Sequence, residues 1–376
     1  MQHLCNHLVR VLALAGALAP AWAAQGFVGL DVSSGRFTYA EGDGPVRTGA
    51  VEGVDWDYNV NVGVELVNIG GTVYAVPTAP SATDCYRTST SNGSQWKKES
   101  GRFAWAKDPV CQGLTMGASG SRMAAFYRTW RAGYSSPLNV DKPTDATPVA
   151  RENIPTFGDR EREVYRTNAV IHDGNEWIAV GARILPRVRP YIIHTNGGDP
   201  TSKWIAVQQD QFHDDVPEDL ILNGVASTGA GGLYAWGFGH RTGEGCLLTA
   251  AAPADPWNVV DAVPSGTGPL VAGAYGDGYW LFAEQTGEPG LRFHVFNGAD
   301  WQALGDDEHA TVRGVLAGSR PTLVYADNTM VVSYITGKPL NAKSARVYVT
   351  DSDANGLYDT ALLEEHDNPL GQCTGL

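Results

Sequence analysis

The sequence predicts an all-β fold built from repeated units. The chain has 45 glycines, 21 prolines and 11 tryptophans in 376 residues and no long stretch of helical periodicity, a composition that favours strands and turns. Two similar turns recur far apart, "STSNGSQWKK" at 89–98 and "VFNGADWQAL" at 295–304. Asn-Gly between extended runs favours a hairpin, because both central residues can adopt positive φ. A tryptophan at the same offset after both turns indicates an internal repeat.

The first 23 residues are predicted to be a signal peptide. Arg10 precedes the apolar run "VLALAGALAPAWA", and Ala21 and Ala23 have the spacing of a signal-peptidase site. The run is too short to anchor the chain in a bilayer. We therefore expect residues 24–376 to form one domain that is secreted or periplasmic and carries no membrane anchor after processing.

The cysteines predict two disulfides in the exported chain. Removal of the signal peptide takes Cys5 with it and leaves four cysteines, which three different pairings could join. We favour Cys85 with Cys111, which lie close in sequence, and Cys246 with Cys373. The alternative is four buried free thiols.

Six similar segments define the repeat. Each holds an apolar run after a glycine-containing or polar turn, and the runs recur roughly every fifty residues. Short apolar runs lie before most of them, and a third strand, a turn and usually an aromatic residue follow. Four short strands per unit are typical of a β-propeller blade, with strands A to D running outward from the axis. The second residues of the six apolar runs are Tyr74, Ala124, Ile178, Tyr234, Trp280 and Val331.

The sequence thus predicts a six-bladed β-propeller of four-stranded antiparallel blades. The leading stretch Gly26–Ala40 is left over, and we expect it to pair with the last blade and close the ring, which removes exposed edge strands. A seventh, irregular blade within residues 25–60 is the alternative count. A solenoid and a pair of β-sandwiches are the alternative architectures.

The recurrent turn resembles the Asp-box, or BNR, repeat of sialidase-like propellers, which reads Ser-x-Asp-x-Gly-x-x-Trp between strands C and D. No copy here is complete. The resemblance implies that these turns are structural and lie on the face opposite the active site. "STSNGSQW" keeps Ser89, Gly93 and Trp96 with Ser91 at the Asp position, "VFNGADW" keeps Gly298 and Trp301 with Phe296 at that position, and "GGDPTSKW" keeps Asp199 and Trp204.

The face formed by the B–C and D–A loops is the predicted ligand face. Arginines fall in three successive B–C loops, beside aromatic residues, and acidic residues and histidines fall in the D–A loops. Arginine and aromatic side chains together suit a glycan or a protein partner. The candidate residues are Arg128, Trp130, Arg131 and Tyr134, then Arg183, Arg187 and Arg189, then His240 and Arg241, with His213, Asp214, Asp215 and His309 in the D–A loops.

Two functions fit this face. The first is non-catalytic recognition of a glycan or an extracellular protein. The second, implied by the resemblance, is a sialidase-like exo-glycosidase in which three arginines clamp a sugar carboxylate, with Arg128 or Arg131, Arg187 and Arg241 as the clamp and Asp214 or Asp215 as the acid. The tyrosine–glutamate pair of such enzymes is not assigned from the sequence. A purely structural propeller without a ligand is the third alternative.

A possible calcium loop lies near the C-terminus. "DSDANGLYD" has the oxygen spacing of a Ca²⁺ site, with Asp351, Asp353, Asn355, the Leu357 carbonyl and Asp359 as ligands. The alternative is an ordinary turn between strands C and D, because turns recruit Asp, Asn and Gly. If calcium binds, we expect a structural role.

Charge and motif content exclude several function classes. The formal net charge of −14 argues against nucleic acid and anionic membranes as partners. The sequence has no Gly-x-Ser-x-Gly elbow and no His-Glu-x-x-His motif. Cysteine and histidine pairs with zinc-binding spacing are also absent. We expect no required cofactor.

Overall fold

The chain is all-β in a computed structural model. The structure describes residues 26–31, 36–41, 44–52, 64–77, 86–102, 112–120, 122–128, 135–142, 145–148, 164–200, 202–228, 232–261, 263–276, 278–287, 290–304, 311–315, 321–326, 329–336, 341–350, 360–365 and 372–375. Within these ranges it contains strands β1 to β30 and one short 3-10 turn at Gln209–Gln211. In this part of the chain no helix is long and apolar enough to cross a membrane.

The described strands form seven sheets, which we number in chain order. Neighbouring strands pair antiparallel, apart from the parallel pair β4–β8. Sheet 1 combines β1 (Phe27–Asp31), β2 (Arg36–Ala40) and β3 (Arg47–Thr48) with the C-terminal strand β30 (Gln372–Gly375). Sheet 2 holds β4 (Ala50–Glu52), β5 (Val64–Ile69), β6 (Thr72–Pro77), β7 (Tyr86–Thr90) and β8 (Gln95–Arg102), and sheet 3 holds β9 (Gln112–Ser119), β10 (Arg122–Arg128), β11 (Ser135–Lys142) and β12 (Asp145–Pro148).

The remaining four sheets repeat the same meander. Sheet 4 holds β13 (Val164–His172), β14 (Trp177–Leu185), β15 (Arg189–His194) and β16 (Ile205–Ala206), and sheet 5 holds β17 (Leu220–Ser227), β18 (Leu233–Gly239), β19 (Gly245–Ala250) and β20 (Asn258–Val259). Sheet 6 holds β21 (Leu270–Gly276), β22 (Tyr279–Gln285), β23 (Gly290–Phe296), β24 (Trp301–Ala303) and β25 (Thr311–Arg313), and sheet 7 holds β26 (Thr322–Ala326), β27 (Thr329–Thr336), β28 (Asn341–Thr350) and β29 (Thr360–Glu365).

One edge strand of each sheet, which we call its inner strand, takes part in a closed cycle of contacts. Strand β5 contacts β9, β9 contacts β13, and the contacts continue through β17, β21 and β26 to β30, which returns to β5. The six sequence units account for sheets 2 to 7. Residues 27–31 do pair with the end of the chain, with Phe27 opposite Gly375. They do so in a sheet of their own rather than in sheet 7, at the position of the alternative unit within residues 25–60.

The core lies between adjacent sheets. The six residues that define the repeat all fall on the strand next to the inner strand of their sheets. Strand β22, "YWLFAEQ", is buried through its first six residues. Both faces of such a strand are covered by neighbouring sheets, so its sequence is continuously apolar instead of alternating. One core cluster joins Leu281 and Phe293 of sheet 6 to Val332 and Ala345 of sheet 7.

Side chains on the inner strands connect neighbouring sheets. The Asn168 amide donates to the Leu222 carbonyl at 2.7 Å, and the Asn223 amide donates to the Leu270 carbonyl at 2.8 Å. Both asparagines sit where the pairing register of their strand shifts by one residue. A β-bulge re-aims a side chain in this way, so each asparagine reaches the next sheet instead of its own.

The turns at Asn92 and Asn297 are hairpins, as the sequence predicts. Each joins the third strand, counted from the inner strand, to the fourth. In the first turn Gly93 has φ +70°. The Thr90 hydroxyl and the Asn92 Oδ1 accept hydrogen bonds from the turn amides, whereas Ser91 stands at the Asp position of the repeat. The Trp96 indole donates to the Gly93 carbonyl at 2.9 Å and is buried. Trp204 and Trp257 donate likewise to turn carbonyls at 3.2 Å.

Candidate functional site

The predicted arginines of sheet 4 lie around the hairpin that joins β14 to β15. Arg183 and Arg189 face each other across the two strands, and Arg187 is exposed in the turn between them. The Arg183 Nε donates to the Arg187 carbonyl at 3.3 Å, and the Arg189 guanidinium donates to the Gln209 side chain at 3.3 Å. The B–C turn therefore gathers positive charge.

In sheet 5 an acidic residue that was not among the candidates organises the loop. The Asp219 carboxylate accepts the Arg241 backbone N–H at 3.0 Å and lies 3.6 Å from the Arg241 Nε. The Asp219 carbonyl accepts the His240 N–H at 3.0 Å. Because the Arg241 side chain is 84% exposed, this ion pair positions the loop but adds little stability.

His213 and Asp215 form an exposed pair beside a buried thiol. The His213 Nδ1 lies 2.6 Å from an Asp215 oxygen, and Asp214 next to them is exposed. Burial first, and the nearby Asp215 charge second, raise the pKa of Cys246 to about 12. Cys246 is a free thiol in the core between sheets 4 and 5, whereas Cys373 lies on β30 in sheet 1. The expected Cys246–Cys373 disulfide is therefore absent from this structure.

Several predicted residues lie outside the described residues. Arg128 ends β10, but its side chain is not described. Within the described ranges no group of three or more His, Cys, Asp or Glu side chains is placed to hold a metal ion. The predicted residues outside the described ranges are Trp130, Arg131, Tyr134, His309, Cys85 and Cys111, and the proposed calcium ligands Asp351, Asp353, Asn355, Leu357 and Asp359.

A cleft between sheets 6 and 7 brings together charged and hydroxyl groups that the sequence analysis did not single out. Its volume is about 490 Å³. Tyr334, Lys343 and Glu365 come from three adjacent strands of sheet 7, and β25 of sheet 6 faces them. The lining residues are Thr311, Val312, Arg313, Tyr334, Thr336, Lys343, Ala345, Leu363 and Glu365.

Strand register places this cleft on the B–C side of the molecule. Tyr334 pairs with Lys343 two residues from the start of the B–C loop, and Thr336 pairs with Asn341 at its edge. Arg313 pairs with Gly290, the first residue after the B–C loop of sheet 6. The cleft therefore lies at the B–C end of sheets 6 and 7, the end that the sequence predicts to bind ligand.

The wall of the cleft is a detached piece of the outer strand of sheet 6. Strand β24 pairs with the second half of β23, and β25 pairs with its first half. Val315 then bridges to Thr336 of sheet 7. This strand begins two residues after His309, which the sequence places in a D–A loop.

One carboxylate joins the polar groups of the cleft. The Tyr334 hydroxyl donates to the Glu365 Oε1 at 3.3 Å, and the Lys343 Nζ lies 3.3 Å from the Oε2. Burial first, and the Glu365 carboxylate second, raise the pKa of Tyr334 well above its ordinary value. The Tyr334 phenol is therefore neutral at physiological pH, while the partly exposed Lys343 and Glu365 can contact a ligand.

Comparison with solved structures shows a propeller-type fold. The chain matches no known protein-family model and no curated protein. The SapL1 lectin in complex with α-methyl fucoside aligns with a TM-score of 0.51 at 11% identity, over 82% of this chain and 96% of the lectin. The Trypanosoma rangeli sialidase aligns at 0.50 and 14%, over 81% and 56%, and the GH74 xyloglucanase of Xanthomonas campestris at 0.54 and 15%, over 92% and 55%. The chain thus spans little more than half of the two enzymes.

Proposed function

We propose that this protein is an exported, seven-bladed β-propeller that recognises a glycan, or alternatively an extracellular protein, through its B–C and D–A face without catalysing a reaction. The closed cycle of seven inner strands supports seven blades in place of the six expected from the sequence repeat. The cleft at Lys343 and Glu365 is the observation that carries the functional proposal.

The chemistry of the cleft suits a sugar ring. A ring presents hydroxyl groups at its edge and C–H groups on its faces. The Glu365 carboxylate can accept a hydrogen bond from a sugar hydroxyl, and the Lys343 ammonium can donate one to a hydroxyl oxygen. Charge-assisted bonds of this kind are stronger than bonds between neutral groups. Val312 and Leu363 supply apolar surface in the same cleft, in keeping with sites that combine apolar lining with a few placed polar groups. The fold shared with a fucoside-binding lectin and two glycoside hydrolases supports the same ligand class.

Recognition fits the tyrosine–glutamate contact better than catalysis does. An attacking tyrosine needs a base that takes its proton. Glu365 accepts the Tyr334 hydrogen bond as such a base would, but burial, the largest cause, raises the pKa of the phenol and disfavours the phenolate that would attack. The pair nevertheless supplies the tyrosine and glutamate that a sialidase-like exo-glycosidase requires, so this enzyme remains the second candidate.

Two expectations outside the described residues stay as smaller proposals. Cys85 and Cys111 form a disulfide, and residues 351–359 bind a structural calcium ion. Equal melting temperatures of the mature protein in calcium and in EDTA would count against the calcium site.

A glycan array and a hydrolysis panel test the proposed function together. The mature protein is expected to bind a subset of glycans on the array and to leave fluorogenic glycosides, sialosides included, uncleaved. Hydrolysis above the blank that disappears in Tyr334→Phe would support the enzyme instead. An array without any bound glycan would refute glycan recognition.

A further inference from the structure

The fold divides the Asn-Gly dipeptides of this chain into open and closed sites. The sequence contains five, which begin at Asn92, Asn196, Asn223, Asn297 and Asn355. Asn355 lies outside the described residues. Asparagine followed by glycine is chemically labile, because glycine has no Cβ to keep its amide nitrogen from the preceding side chain. The other four sites therefore form a comparison within one molecule.

Asn196 and Asn297 are in open turns. Both asparagines are exposed, and the bonds that the Asn297 Oδ1 accepts from the Ala299 and Asp300 amides, at 2.9 and 2.7 Å, lie within the exposed turn itself. A Cβ at Gly197 or Gly298 would meet no atom within 4 Å, so the backbone at these glycines has room to rotate. Each turn joins the third strand of a sheet to the fourth, at the end of the sheet away from the cleft.

Asn92 and Asn223 are in closed sites. The Gly93 amide donates to the Thr90 hydroxyl at 2.8 Å, and Gly93 packs so closely against sheet 1 that a Cβ there would lie 2.6 Å from the Tyr39 Cβ. The Asn223 side-chain amide donates to the Leu270 carbonyl on the next inner strand, and Gly224 is buried against Trp236. At both sites the glycine whose nitrogen would have to attack is packed against another strand, whereas Gly197 and Gly298 are not.

We propose that Asn196 and Asn297 are sites of spontaneous deamidation in the folded protein and that Asn92 and Asn223 are protected by the fold. The amide nitrogen of the following glycine loses its proton and attacks the side-chain carbonyl carbon of the asparagine. A C–N bond forms, ammonia leaves, and a five-membered succinimide results. Water opens this ring at one of its two carbonyls, giving aspartate or isoaspartate. The reaction consumes one water molecule and involves no oxidant.

The reaction at Asn297 has a structural consequence. Isoaspartate routes the backbone through the side-chain carbon and lengthens the turn between Phe296 and Trp301, which pair across β23 and β24. The Trp301 indole donates to His294 at 3.2 Å. We therefore expect ageing to loosen the outer edge of sheet 6 at the end opposite the cleft.

Peptide mapping by mass spectrometry tests this inference and does not depend on the ligand. The full chain is incubated in mildly alkaline buffer, natively and in concentrated urea, and conversion at the four asparagines is followed. In the native protein Asn196 and Asn297 are expected to convert at least about tenfold faster than Asn92 and Asn223, since a protected site must first open locally. In urea the four rates should agree within about threefold, because no fold remains to protect any site.

A variant tests the cause of protection at Asn92. Thr90→Val removes the hydroxyl that holds the Gly93 amide, and conversion at Asn92 is expected to rise while Asn223 in the same molecules stays slow. Native conversion at Asn92 or Asn223 as fast as at Asn297 would overturn the proposal. So would a native Asn196 or Asn297 that converts as slowly as Asn92, or a spread of rates in urea as wide as in the native protein.

Discussion

Replacing Glu284 by glutamine should destabilise sheet 6 strongly, although the two side chains have nearly the same shape. Glu284 Oε1 accepts the Gly268 N–H at 2.8 Å, and Oε2 lies 2.5 Å from the His294 Nε2. The Trp301 indole N–H can only donate, so its bond to the His294 Nδ1 places the imidazole proton on Nε2. The Glu284 carboxylate thus accepts from two buried donors.

Glutamine cannot satisfy both donors. In one orientation its NH₂ group faces the His294 N–H, and in the other it faces the Gly268 N–H. One buried donor therefore remains unpaired in either case, and a charge-assisted bond is also lost. Glu284 and His294 are only 6% and 3% exposed, so water does not compensate. We expect the free energy of unfolding to fall by about 2–4 kcal/mol.

Glu176→Gln is the matched control. Glu176 pairs with the His194 Nδ1 at 2.7 Å, but its side chain is 19% exposed and the same nitrogen lies 3.1 Å from the Thr195 carbonyl. We expect a loss of about 1 kcal/mol or less. Urea unfolding followed by tryptophan fluorescence measures both variants. A Glu284→Gln protein within about 0.5 kcal/mol of wild type, or one more stable than Glu176→Gln, would refute the reasoning.

The Glu284 carboxylate should also make the stability of the protein fall at acid pH. Burial alone would raise the pKa of Glu284. The hydrogen bonds from His294 and Gly268 and the nearby charge of Arg292 nevertheless hold this pKa below its ordinary value of 4.5. A depressed carboxyl pKa stabilises the fold above the unfolded pKa, and this contribution is lost as the pH falls through the folded pKa. As the pH falls below 5, the free energy of unfolding of Glu284→Gln should therefore decrease less than that of wild type.

Three further predictions concern stability and use the same unfolding assay. Asn168→Ala should lower the free energy of unfolding by about 1–2 kcal/mol, because the Leu222 carbonyl loses its partner on the neighbouring inner strand. An unchanged free energy of unfolding would mean that the bulged asparagines do not stabilise the contact between sheets. Gly93→Ala should cost at least about 2 kcal/mol, since φ is +70° and β2 leaves no room for a Cβ; a wild-type midpoint would contradict the packing. Arg346→Ala should cost about 1–3 kcal/mol, because its guanidinium donates to the Gly44 carbonyl at 3.0 Å and links sheet 7 to sheet 1; a neutral result would mean that this contact does not stabilise ring closure.

The repeat could be predicted from the sequence because local physics fixes it. Asn-Gly turns need positive φ, and a strand buried on both faces needs a continuous apolar run, so Asn297 and "YWLFAEQ" identify their elements directly. Sheet 1 gives no comparable local signal. It joins residues 27–48 to a four-residue strand more than three hundred residues later, and no periodicity can be read from four residues.

The site was harder to predict because it depends on register between distant strands. The arginines of the B–C loops were visible as a local cluster, but Tyr334, Lys343 and Glu365 meet only through the pairing of β27, β28 and β29. Thr336 pairs with Asn341 at the end of the hairpin, and counting two residues along each strand from this pair places Tyr334 opposite Lys343. No sequence signal shows that β25 returns to pair with β23 and walls the cleft. The disulfide assigned to Cys246 was wrong for a similar reason, since a cysteine count does not reveal that the thiol packs between sheets 4 and 5.

The affinity of cleft variants for a glycan identified on the array tests the central claim most directly. Glu365 and Glu364 are neighbours on β29 with opposite partners: Glu365 contacts Tyr334 and Lys343 in the cleft, whereas Glu364 contacts Tyr348 and lies near Arg346. If the cleft binds the glycan, Glu365→Gln and Lys343→Ala should each weaken binding at least about tenfold, and Glu364→Gln should change it less than about twofold. Equal weakening by Glu365→Gln and Glu364→Gln, or wild-type affinity in both cleft variants, would contradict recognition through this cleft.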